Sequence, residues 1–194
     1  MPTTSGNSSW GEDDFRSLLS AEDWSELNHR IKSCYTINLI RIKFAGAMKF
    51  LEAQQEIART LFDLLYGSDA IQKRFSTYAS ILGKYESDKW PLVTLPLYHR
   101  FPEEYMFVKP TVTQEAAANR GFNIHYSSQV NWDTYEHVLM FSNDLKQRLD
   151  GYDNPALTTR DMIDVQNFMW CSFTDGWTES EVKKAELELN HSKA

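Results

Sequence analysis

The sequence predicts a mainly helical α+β fold, with a helical first half followed by a small antiparallel or mixed sheet and further helices in the second. Three observations predict it. Up to about residue 86, apolar residues recur at three- and four-residue steps, the period of one helix face. From "ESDKWPLVTLPLYHRFPEEYMFVKPTVT" onward, Pro91, Pro96, Pro102 and Pro110 forbid a continuous helix, and the residues between them are β-branched or aromatic. After Asn131 the helical period returns.

Residues 1 to 11 are rich in Ser, Thr, Gly and Asn and predict a disordered tail, so a single globular domain is expected over residues 12–194. Its helical part would run from 12 to 86, its α+β part from 87 to 178, and a terminal helix from 178 to 190. In the first part Phe15, Leu18 and Leu19, then Trp24, Leu27 and Ile31, predict two short helices, the second capped at Ser20. A long amphipathic helix carrying Phe44, Met48, Leu51, Ile57, Leu61, Leu64 and Leu65 follows, entered through a short strand from Ile37 to Ile42 and closed by a left-handed cap at Gly67. Ser68 then caps a helix with Ile71, Phe75, Tyr78, Leu82 and Tyr85 on its inner face.

In the second part "LVTL", "YMFV" and "FNIHY" are the predicted strands, with the neighbouring prolines pointing to edge positions. Between them "TQEAAANRG" is a compact helix, capped by Thr113 or Thr111 and ended at Gly121. Asn131 caps a helix that buries Tyr135, Val138, Leu139, Ser142, Leu145 and Leu149 and stops at Gly151. A polar loop with Pro155 leads to "TTRDMIDVQNFMWCSF", a helix capped by Thr158 or Thr159 and apolar nearly all round, which predicts burial. The last helix starts at the capping box "TESE", Thr178 to Glu181.

At 194 residues and 42% hydrophobic content, the chain can bury roughly 70% of its unfolded surface without a metal or a disulfide. Cys34 and Cys171 lack a second cysteine at ligand spacing and predict buried free thiols in a reducing compartment. No apolar run reaches the roughly 20 residues of a membrane span, and the first residues have no basic and apolar signal pattern, so the expected location is cytoplasmic, without a membrane partner. A net charge of −7 disfavours a phosphate backbone as a general partner, though it does not forbid a local nucleic-acid contact.

Two groups of residues could carry chemistry. Lys109 precedes Pro110 and a helix whose first N–H groups point the same way, an anion-binding arrangement that Thr111, Thr113 and Arg100, with His99, would complete. Arg160, Asp161 and Asp164 form an acidic pair with an arginine at the head of a helix, where the dipole alone favours carboxylates. The five histidines show no H-x-x-x-H pair and no metal-ligand spacing, and the glycine-rich and nucleophile motifs of nucleotide enzymes and serine hydrolases are absent. No catalytic residue, metal or cofactor is therefore assigned.

The segments "KWPLVTLPLY", "YMFVKPTVTQEAA", "GFNIHY", "NWDTYEHVL" and "RDMIDVQNFMW", in this order, resemble a poorly characterised bacterial family. The pattern is distantly similar to modules beside AAA ATPases of modification-dependent restriction systems. The resemblance covers roughly Trp90 to Trp170 and brings no catalytic residues with it. Together these features imply a non-enzymatic recognition or regulatory module acting through protein contacts, in a phage-defence or DNA-processing setting. The alternative is a nucleic-acid-binding or phosphate-handling enzyme built on Lys109, Arg160, Asp161 and Asp164.

Overall fold

The computed structural model describes residues 11–35, 48–154 and 157–173. Among them are eight helices and no strand: α1 (Glu12–Ser20), α2 (Trp24–Cys34), α3 (Leu51–Tyr66), α4 (Ile71–Lys84), α5 (Trp90–Arg100), α6 (Pro110–Asn119), α7 (Trp132–Asp150) and α8 (Met162–Phe173). The expected tail, the strand at residues 37–42, Phe44, Pro155 and the helix from Thr178 lie outside the described residues. So do the side chains of Cys34 and Phe173.

The helical period of the first half translates directly into packing. α3 and α4 are joined by a short loop and pack on each other, and Ile57, Leu61 and Leu64 of the one and Phe75, Tyr78 and Leu82 of the other are all buried. α1 and α2 cover α3 from one side, while α5 closes over α3 and α4. α7 packs on α4 and α8, and α8 on α6. One apolar cluster takes residues from all eight helices. At the α4 to α7 crossing the Phe75 and Tyr135 rings stack at 4.7 Å, and Trp132 meets both edge-on.

The predicted sheet is absent among the described residues, so the α+β class gives way to an all-helical one. "LVTL" lies inside α5. Pro91 sits in its first turn, where a missing N–H costs nothing, but Pro96 is interior and deprives the Leu92 carbonyl of its helical donor. The buried Tyr35 hydroxyl donates to that carbonyl at 3.0 Å and touches the Tyr78 hydroxyl at 3.1 Å, so a tertiary contact replaces the lost bond.

"YMFV" is an irregular run between α5 and α6, and it needs no neighbouring strand. The Val108 N–H donates to Thr94 Oγ1 at 3.0 Å, and the Tyr135 hydroxyl donates to the Met106 carbonyl at 3.0 Å. "FNIHY" is likewise irregular, with His125 in the left-handed region at φ 46°.

Helix ends depart from expectation where a side chain from further along the chain does the capping. Asp23, not Ser20, caps α2 by accepting the Glu26 N–H. Gly67 is extended, at φ −66° and ψ 156°, and the Arg74 side chain donates to the Asp63 and Leu64 carbonyls at the end of α3. α4 and α6 begin at Ala70 and Lys109 without a side-chain cap, so Ser68, Thr111 and Thr113 do not serve as caps. The Asn131 cap is present, its side chain accepting the Thr134 N–H at 2.9 Å, and Gly121 follows α6 at φ 64°.

Candidate functional site

Each predicted charge has a partner, and the partners differ. Lys109 lies with its ammonium 3.4 Å from the centre of the Trp170 ring, a cation–π contact between the start of α6 and the end of α8. Loss of hydration there lowers the Lys109 pKa. Thr111 is exposed, whereas Thr113 is fully buried within α6 and its hydroxyl has no partner. Arg100 turns to α3, donating to the Tyr66 hydroxyl at 2.7 Å and lying over the Phe101 ring. His99 is exposed beside the Tyr98 ring. Lys109 and Arg100 thus serve separate contacts, and the Thr113 hydroxyl joins neither.

The acid pair with Arg160 is a helix-start device. Asp161 Oδ1 accepts the Ile163 N–H at 2.8 Å, replacing Thr158 or Thr159 as the cap of α8. Asp164 accepts both the Arg160 guanidinium, through two bonds of 3.0 Å, and the Arg160 backbone N–H at 2.9 Å. The guanidinium first, then the N–H, hold the Asp164 carboxyl below its usual range. Behind them Tyr98 is pushed up to about 12, by burial first and then by the charges of Asp161 and Asp164.

α8 itself is one-sided. Met162, Val165 and Met169 are buried, but Ile163 and Trp170 are 38% and 40% exposed, so the expectation of all-round burial fails. Cys171, expected to be a buried thiol, is exposed.

The structure makes two arrangements that the sequence reading missed. His125, in the loop before α7, and Asp133 and His137, in its first two turns, place one donor atom each within 4.8 Å of the others. His125 Nδ1 is 3.2 Å from Asp133 Oδ2, and the imidazole rings overlap at 3.9 Å between centres. The Asp133 and His137 pair, four apart on a helix, is a signal the sequence does carry. His125 joins them only because the loop turns back at its left-handed residue.

The second is a shallow cleft of about 570 Å³ along the outer face of α7, walled by Ile71, Tyr105, Trp132, Leu139 and Met140. Glu104 and Glu136 stand exposed in its lining, and Asp144 pairs with Arg148 at 2.7 Å. Neither this cleft nor the two hollows against α4 are lined by Lys109, Arg100, Arg160, Asp161 or Asp164. No described helix is long and apolar enough to cross a membrane. Compared with family models, curated proteins and solved structures, the chain finds no match.

Proposed function

We propose that the chain is a recognition module acting through protein contacts in the cytoplasm, and that the α7 cleft receives a basic amphipathic segment of its partner. The observation that carries this reading is the apolar wall of the cleft beside Glu104 and Glu136. Met140 is 55% exposed there, whereas Tyr135, Val138, Phe141, Leu145 and Leu149 of the same helix are buried. An apolar wall supplies affinity, and unneutralised carboxylates select a cationic partner over an acidic one. The dispersal of Lys109, Arg100 and Arg160 over separate partners supports the same reading over a phosphate-binding one, which would need them to converge. The proposed setting, a bacterial defence or DNA-processing system, rests on the sequence resemblance alone.

A labelled helical peptide with one Leu face and one Lys face tests this by anisotropy, with the same peptide carrying Glu for Lys as its control. The Lys peptide should bind and the Glu peptide should not. Met140→Glu should weaken binding at least about tenfold although it adds a negative charge, because it removes apolar wall. Equal affinity of Met140→Glu and the unaltered protein would show that only diffuse charge attraction is at work and would sink the cleft.

A further inference from the structure

The fold assembles a second site at the start of α7: we propose that His125, Asp133 and His137 bind a divalent transition metal of the zinc class. Two imidazoles and a carboxylate are the donor set that such ions take, whereas magnesium and calcium prefer oxygen alone. One donor atom from each residue already lies within 4.8 Å of the other two. A four-coordinate ion with bonds of about 2.0–2.1 Å holds its donors roughly 3.3 Å apart, so binding needs them to draw in by at most about 1.5 Å.

Three features hold the donors ready. His137 Nδ1 donates to the Asp133 carbonyl at 2.8 Å, which fixes the ring and leaves Nε2 as its acceptor atom. Asp133 Oδ1 and Oδ2 stand 3.6 Å from His137 Nδ1 and 3.2 Å from His125 Nδ1, so one carboxylate reaches both rings. His125 is kept in its uncommon φ of 46° by bonds at both ends, its N–H donating to Asn123 Oδ1 at 2.9 Å and its carbonyl accepting the Thr134 hydroxyl at 2.7 Å. The helix dipole at the start of α7 opposes a cation, and the Asp133 carboxylate in the same turn offsets it. With three protein ligands at the surface, the remaining coordination positions fall to water or to an external ligand.

The test uses the full chain, free of any histidine tag and stripped with a chelator, titrated with Zn²⁺ by calorimetry and with Co²⁺ by its visible bands. One ion per chain is expected, with Co²⁺ bands showing nitrogen ligation. His125→Asn keeps a residue that tolerates the left-handed backbone but removes the imidazole, and His137→Gln removes the second. Each should weaken binding by at least about tenfold, while His29→Ala and His99→Ala should leave it unchanged. Circular dichroism identical to that of the unaltered chain shows that the folds are intact. Failure of the unaltered chain to take up either ion, or equal affinity in the His125→Asn and His137→Gln proteins, would overturn the site.

Discussion

Single residues show how local charge is used once the backbone brings it together. Asp150, at the end of α7, accepts the Lys146 ammonium at 2.9 Å, and its other oxygen accepts the Thr159 N–H at 2.7 Å and hydroxyl at 2.8 Å. The ammonium, then the N–H, then the hydroxyl bring its pKa from the ordinary 3.8 to about 2. A depressed folded pKa means that the unfolded chain takes up the proton first as pH falls. The contribution of this clamp to stability is therefore complete above about pH 4, declines below it, and is gone once pH has dropped through about 2. An NMR titration should find the Asp150 carboxyl near 2 and the Thr159 amide shift following it. In Lys146→Gln the midpoint should move up toward 3.8, and an unmoved midpoint would refute the role given to the ammonium.

Trp170 shows the limit of the same resolution in sequence. Its helix reads as apolar on every side, yet only the flank with Met162, Val165 and Met169 meets the core, and Trp170 instead carries the Lys109 ammonium on its face. Nothing in the spacing of apolar residues tells which flank faces a partner helix when both are greasy. The Asp161 and Asp164 pair was legible as a dipole-favoured helix start, because that preference is local.

Elements were legible where period and local chemistry agree. α4 and α7 follow their apolar stripes, and the Asn131 cap and the stop before Gly151 stand as read, whereas α3 starts only at Leu51, after Met48 and with Leu51 itself 56% exposed, and follows its stripe from Ile57 on. The failure at α5 is of another kind, since proline spacing is a correct local warning that a distant residue overrides. Tyr35 lies 57 positions before the Leu92 carbonyl that it serves, and no local window contains both. The arrangement makes a prediction. Tyr35→Phe keeps the ring and the packing but leaves that carbonyl without a donor in the core, so it should cost about 1–3 kcal/mol in urea unfolding. Tyr78→Phe, which also loses the contact between the two hydroxyls, leaves the Tyr35 to Leu92 bond in place and should cost less. Equal costs would mean that the hydroxyl pair, and not the proline's orphaned carbonyl, is what Tyr35 supports.

For the molecule as a whole, the question is how an irregular run of residues is carried through an all-helical core without a sheet to satisfy its backbone. The residues of "YMFV" have the composition of a strand, and the sequence reading gave them the partner that strands usually take. Here the partners are side chains on flanking helices, Thr94 from α5 and Tyr135 from α7. Thr94 is fully buried and uses its hydroxyl twice, donating to the Trp90 carbonyl at 2.7 Å and accepting the Val108 N–H at 3.0 Å. Thr113 is as deeply buried on α6, but its hydroxyl has no partner. Threonine and valine have nearly the same shape, so Thr→Val at the two positions changes hydrogen bonding with little change in packing. At 94 it strands a buried N–H and should cost about 1–3 kcal/mol; at 113 it removes an unmatched buried hydroxyl and should be neutral or stabilising. Paired urea melts decide the matter through the sign of the difference. Equal destabilisation by Thr94→Val and Thr113→Val would mean that buried shape, and not the side-chain bond to Val108, holds the irregular run against α5.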